Sequence, residues 1–208
     1  MIHVFWEIIS PVDPYLRDEI HRFRHEVFVK GLGWAALEKP DGREIDQFDD
    51  EHAIHVVDIV GSQVCGYSRL LPTCRPHLLS HVYPELLQGR ESPRSSATYE
   101  WTRLAARKDV KTRDSYSIRR IMAAIPDICA TFGLQSLIAQ SDPLWIRRLM
   151  KLGWDVKPLA PAVAYAGRAI VPLEARVTAE TSKICCRVLG MRSAIVFPPI
   201  SRGEVACR

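Results

Sequence analysis

Apolar residues change period along this chain, and the order of those changes constrains the fold more than any single motif. Residues 2–9 (IHVFWEII) are β-branched and aromatic, as in a strand, and Asp13-Pro14 then supplies an N-cap followed by proline at the first helical position. Leu16, Ile20, Phe23 and Val27 recur at steps of four, three and four. The spacing predicts a helix with one face on a sheet, Arg17, Arg24 and Glu26 elsewhere on it, and Gly31 and Gly33 ending it. Next, AIHVVDIV and VCGYSRLL flank Gly61-Ser62-Gln63 and read as an antiparallel hairpin. Residues 98–106 (TYEWTRLAA) read as another strand, with Tyr99, Trp101 and Arg103 on one face and Glu100, Thr102 and Leu104 on the other unless a bulge re-sorts them. Ile118, Ile121, Met122, Ile125, Ile128, Cys129 and Phe132 mark a helix ending at Gly133, with a kink expected at Pro126. LQSLIAQ is a buried strand, Asp142-Pro143 opens the helix PLWIRRLMKLG, residues 154–172 hold two strand candidates, and 174–189 a last helix. The succession β-α, several strands, then α-β-α-β-β-α gives an α/β chain with a mixed sheet and helices on both faces. No repeat or composition break divides residues 1–208, so one domain is expected, with 190–208 as a C-terminal tail.

The connecting segments carry the charge. Residues 35–51 hold seven carboxylates and two bases around the turn residues Pro40, Asp41 and Gly42, which reads as a long loop over the surface. Residues 72–97, rich in Pro, Ser and Arg, read as irregular. The net charge of +4 conceals an asymmetry: residues 1–104 carry 11 basic and 16 acidic side chains, residues 105–208 carry 17 and 8. Two ligands of different character are therefore expected. With 47% hydrophobic and 25% charged residues, the composition excludes disorder, collagen and a long coiled coil. No run reaches the roughly 18 uncharged apolar residues of a membrane span, and MIHVFWEIIS lacks the basic start of a secretion signal, so a cytoplasmic location is expected. The six cysteines show no C-x-x-C spacing and read as reduced thiols.

The phosphate-cradling G-x-x-x-x-G-K-[ST], the G-x-G-x-x-G turn and the G-x-S-x-G elbow are all missing from the sequence. Cys74, His77 and His81 lack a fourth ligand and follow or flank Pro76, so no metal is expected. What remains is a set of separated residues: Arg24 and Phe28 on the first helix, Trp34 beyond it, Asp46 and Asp49 in the acidic loop, Arg69, then Glu100 and Arg103. Each has an ordinary explanation as a solvated charge or a core aromatic. Together, in this order and spacing, they make the chain resemble the acyl-homoserine-lactone synthases, the LuxI-type autoinducer synthases, from the first helix to the E-x-x-R strand and more loosely to Trp154.

That resemblance implies a GNAT-like N-acyltransferase fold, a three-layer α/β/α sandwich with a mixed central sheet. It also implies a reaction that joins S-adenosyl-L-methionine, a substrate and not a cofactor, to an acyl thioester. Asp46 and Asp49 would supply charge, Phe28 and Trp34 aromatic faces, and Arg24 or Arg69 a carboxylate clamp. Glu100 would be the general base, and Arg103 would orient it or bind the donor. Arg147, Arg148 and Lys151, with Arg119, Arg120, Lys108 and Lys111 nearby, would dock acyl-CoA or acyl carrier protein. Trp101 and Trp145 stand where they would shorten the acyl pocket, which suggests a short or branched acyl group such as isovaleryl, with acyl-CoA favoured. Two other readings stay open: a GNAT-like acyltransferase acting on a different amine, and, more distantly, a nucleic-acid-binding regulator using the basic second half.

Overall fold

The computed structural model describes residues 1–9, 11–107, 114–165, 167–192 and 194–197. The chain folds as two compact units, the first holding residues 1–70, 103–122 and 194–197 and the second residues 71–102 and 123–192. The boundaries fall inside strands β3 (Gln63–Pro72) and β4 (Thr98–Ala106) and inside helix α2 (Asp114–Thr131).

In the first unit β1 (Ile2–Trp6) pairs antiparallel with β2 (Ile54–Val60), Ile2 opposite Asp58 and Trp6 opposite Ile54. β2 returns through Gly61-Ser62 to β3, as the hairpin reading expects. Helix α1 (Pro14–Arg24) begins where Asp13 accepts the N–H groups of Tyr15 and Leu16. Its apolar stripe packs Ile20 and Phe23 with Phe28, Val57, Val64 and Tyr67. α1 continues without a break into a π-helical turn, His25–Gly31, closed by Leu32 N–H on Val27 O (3.0 Å). The start of α2 approaches β3 so closely that a Cβ on Gly66 would stand 3.0 Å from Ile121 Cδ1, and Arg120 of α2 bonds the buried Asp58.

In the second unit the first residues of β4 run parallel to β5 (Ser136–Ser141). β5 pairs antiparallel with β8 (Arg168–Arg176), which also takes β6 (Asp155–Pro158) and β7 (Val163–Tyr165). Parallel and antiparallel pairs therefore coexist, so the sheet is mixed and the chain α/β, as the sequence implies. Leu79, Leu86, Leu87 and Ile138 form a core cluster. α3 (Leu144–Lys151) ends at Gly153, whose φ is +84° and where a Cβ would fall 2.8 Å from Ile184 Cβ of α4 (Thr181–Leu189), so only glycine fits.

Several boundaries differ from expectation. β1 stops at Trp6 because Ile9 N–H turns back onto Trp6 O. Residues 72–97 contain a π-helical turn (Leu78–Val82) and a 3₁₀ turn (Pro84–Leu87). Among the described residues three strands, β6, β7 and β8, lie between α3 and α4, where two were expected. The last helix starts at Thr181 rather than 174, since Glu174 and Arg176 are held in β8 opposite Ile138 and Ser136. α2 passes through Pro126 as one helix. Within the expected tail, Ile195–Val196 pair with β1 as β9, and residues 198–208 lie outside the described residues. No helix among the described residues is long and apolar enough to cross a membrane.

Candidate active site

Six charged side chains close on one another in the first unit. Arg24 is fully buried, not on a solvated helix face: Nε donates to Glu44 Oε2 and Nη1 to Asp49 Oδ1, both at 2.6 Å. From β3, Arg69 Nη1 reaches Asp46 Oδ1 (2.7 Å) and Asp49 Oδ1 (2.6 Å), and Nη2 reaches Asp46 Oδ2 (2.8 Å). Arg103 completes the set, with Nη2 on Glu44 Oε1 (3.0 Å) and Asp46 Oδ2 (2.9 Å). Three guanidiniums thus face three carboxylates, as desolvated charges require. Burial pushes the Asp49 carboxyl up, but Arg69 and Arg24 outweigh it and hold the group far below the usual carboxylate range. Glu44 is likewise lowered, burial being outweighed by Arg24 and Arg103.

Residues 44–49 of the segment read as a surface loop therefore turn inward, while 38–41 stay exposed as that reading expects. Asp46 folds it by accepting Phe48 N–H (2.9 Å), Asp49 Oδ2 accepts Asp46 N–H (2.9 Å), and Phe48 is buried beneath. Glu44 was missed by sequence reasoning because its partners stand 20 residues before and 59 residues after it. The one available signal was the surplus of carboxylates in the loop, which needed cations from elsewhere.

Arg103 has a left-handed backbone, φ +57°, within β4. The strict alternation expected along the strand therefore breaks at this residue. A strained backbone of about 1–3 kcal/mol persists only where surroundings hold it, and Glu44 and Asp46 do so here. Its guanidinium also lies over the Phe28 and Trp34 rings, 5.5 and 5.6 Å from their centroids. Those two rings stack at 5.0 Å, Phe28 buried and Trp34 41% exposed. The aromatic faces proposed for a substrate cation thus already carry a protein cation on one side. Close by in the same unit, His55 Nδ1 meets the Tyr67 hydroxyl at 2.7 Å, and burial lowers the His55 pKa to about 3.

Glu100, also on β4 and in the second unit, is held differently. It is fully buried; Oε2 accepts Leu78 N–H (2.8 Å), and Oε1 accepts Leu79 N–H (2.8 Å) and Gln140 Nε2 (2.5 Å). These two N–H groups open the Leu78–Val82 turn. Neutral donors, and not Arg103, orient this carboxylate. Trp101 is buried against Trp154, ring centroids 6.2 Å apart. Trp145 on α3 is half-buried under the Arg148 guanidinium, 5.2 Å from its ring. Arg147, Arg148 and Lys151 are exposed on α3 with Leu144. Of the other bases expected near them, Arg120 is committed to Asp58, and Lys108 and Lys111 lie outside the described residues. Among the described residues no cluster of three His, Cys, Asp or Glu side chains could hold a metal.

Residues 13–182 match the family model for autoinducer synthases. The chain is 34% identical over 163 residues to the isovaleryl-homoserine lactone synthase of Bradyrhizobium diazoefficiens, covering 76% of this chain and 72% of that protein. In structure it is similar to BjaI, described as a CoA-dependent acyl-homoserine lactone synthase with SAM and isopentyl-CoA, with a TM-score of 0.88, 26% identity, and coverage of 99% of this chain and 96% of that one. An acyl-CoA N-acyltransferase from Pseudomonas aeruginosa, 11% identical, matches at a TM-score of 0.57 over 84% of this chain and 98% of its own, which shows the shared GNAT-like fold alone. The chain thus belongs to the autoinducer synthase family, the acyl-homoserine-lactone synthases, and is an acyltransferase.

Proposed function

We propose that the chain acylates the amine of S-adenosyl-L-methionine from an acyl thioester and then closes the lactone, releasing 5'-methylthioadenosine. The observation that carries this reading is the Phe28–Trp34 stack, braced by Arg103 and open to solvent on the Trp34 side. The open indole face suits a sulfonium or an adenine ring. Because Arg24, Arg69 and Arg103 are matched by Glu44, Asp46 and Asp49, the cluster's task is to fix this platform rather than to supply free charge. The clamp role therefore passes from Arg24 and Arg69 to the polar edge they hold in place.

Glu100 is the general base in this reading. Oε1 has two donors, while Oε2 has one N–H and keeps a lone pair for the amine proton. A positioned base contributes about 10²- to 10⁴-fold. The amine attacks the thioester carbonyl and expels the thiol; the substrate carboxylate then displaces methylthioadenosine. Trp101 packed on Trp154 limits the depth available to an acyl chain in the second unit, which supports a short or branched group. The isovaleryl name of the relative and the isopentyl-CoA of the structural neighbour support acyl-CoA as donor, and the exposed bases of α3 suit its phosphates or an acidic acyl carrier protein.

Incubation with S-adenosylmethionine and a panel of acyl-CoA and acyl-carrier-protein donors, followed by mass spectrometry, tests the proposal. Acyl-homoserine lactone and methylthioadenosine should appear together, most with isovaleryl-CoA. Equal turnover of a long acyl-carrier-protein substrate removes the donor assignment. No calorimetric binding of S-adenosylmethionine, with or without donor, would instead favour acylation of a different amine.

A further inference from the structure

One acceptor beside Glu100 has no task in this chemistry so far. β5 runs parallel to β4 with Ile138 opposite Glu100, so Gln140, two residues on, presents its side chain on the face of the sheet that Glu100 occupies. Its carboxamide meets Glu100 Oε1 at 2.5 Å. An ionised carboxylate only accepts hydrogen bonds, so the NH2 end of the amide faces Glu100 and the carbonyl end faces away from it. Among the described residues nothing donates to that carbonyl oxygen. The other residues around the Glu100 carboxylate, Leu78, Leu79 and His77, are buried, whereas Gln140 is half-buried. Of these contacts, Gln140 is the one with surface open to an incoming ligand.

We propose that Gln140 is a substrate-binding residue whose carbonyl oxygen accepts one N–H of the S-adenosylmethionine amine while Glu100 accepts another. The inference rests on Glu100 as the base. An ammonium taken out of water has three donors to satisfy, and the two backbone N–H groups at Glu100 cannot accept from it. Glu100 Oε2 takes the first N–H and the Gln140 carbonyl the second. The three protons then have separate fates. The one on Oε2 passes to the carboxylate, and the freed lone pair attacks the thioester carbonyl. A second leaves with the thiolate, which departs as thiol. The one on Gln140 stays and becomes the N–H of the product amide. A carboxamide oxygen suits that task because it is too weak a base to remove the proton it holds. Gln140 thus donates to the base and accepts from the nucleophile, so one side chain sets the spacing between them.

5'-Methylthioadenosine lacks the amine, so comparing it with S-adenosylmethionine isolates the contact. In Gln140→Met, calorimetry should show the affinity for S-adenosylmethionine falling about 10-fold, as the loss of a hydrogen bond to a charged group predicts, and that for methylthioadenosine staying within about twofold of the parent. Parent-like affinity for S-adenosylmethionine overturns the inference. An equal loss for both ligands overturns it too, since that marks a change in the shape of the pocket. If Gln140→Met does not fold, Gln140→Ala decides by the same comparison. Glu100→Gln tests the reading beneath: retained turnover removes Glu100 as the base and this inference with it. An inactive Glu100→Gln beside a Gln140→Met that binds S-adenosylmethionine like the parent removes the Gln140 contact alone.

Discussion

The two units bury carboxylates in opposite ways. In the first, Glu44, Asp46 and Asp49 are each bound by two or more guanidinium contacts, and the six charges cancel. In the second, Glu100 takes its hydrogen bonds from two backbone N–H groups and an amide, with an imidazole 3.5 Å away and no guanidinium among these contacts. A carboxylate tied to arginine is a fixture: adding a proton to it would strand a buried cation. One held by neutral donors can exchange a proton without breaking an ion pair. In the proposed reaction, scaffolding falls to the first group and proton transfer to the second.

The sharpest way to break this contrast is Glu100→Gln. The amide keeps the shape but no longer accepts a proton, so turnover should fall about 10²- to 10⁴-fold. One of the Leu78 and Leu79 N–H groups loses its acceptor, at about 1–3 kcal/mol of stability, so the variant should remain folded. Single-turnover mass spectrometry checks the first figure and a thermal melt the second. In the first unit the effect should appear in stability instead. Asp49→Ala removes a shared partner of Arg24 and Arg69 and should destabilise by about 3–5 kcal/mol, lowering Tm by roughly 6–20 °C. A variant that melts like the parent would show that the cluster is not the scaffold described here.

Acid should sharpen the comparison further. His55 is held neutral, its pKa about 3 against 6.5 for the free ring, so the unfolded chain binds the extra proton between those values. Its contribution to stability is complete above about pH 6.5 and is lost as pH falls toward 3, at up to about 1.4 kcal/mol per unit. Glu44 and Asp49 are lowered too, but from the carboxylate range, so their contribution holds at neutral pH and is lost only as the pH falls below that range toward their folded values. Urea titrations across pH should show two windows, and His55→Gln should flatten the upper one alone. The smallest effect belongs to the exposed face of α3. Arg147→Glu with Arg148→Glu should raise KM for acyl-CoA about 3- to 10-fold, less so at high salt, with kcat unchanged.

Much of this was legible in the residues. The Asp13-Pro14 and Asp142-Pro143 steps located α1 and α3, and Gly61-Ser62 the hairpin, because these are local devices written within a few positions. Of the eight residues of the family pattern, Arg24, Asp46, Asp49, Arg69 and Arg103 meet one another in the structure, but Glu44, which joins Arg24 to Arg103, was not among them. Arg24 read as solvated because charge on an amphipathic helix usually is; its burial depends on Glu44, which local patterns do not link to it. The left-handed turn at Arg103 carries no glycine to announce it. Gln140 and His77 emerged only once the fold brought β5 and the Leu78 turn to Glu100.

The π-helical turn at His25–Gly31 makes the site unusually sensitive to a kind of change that substitution never probes. Each ring of that turn encloses one residue more than an α-helical ring. Deleting a single residue between 25 and 31 would let the segment relax to ordinary α-helix, keeping its hydrogen bonds while rotating everything beyond it by about 100°. Trp34, whose N–H is tied back to Phe28 O, would then leave its stacking partner although every side chain of the platform was still present. Chain length through this turn, as much as its composition, is what keeps Trp34 on Phe28.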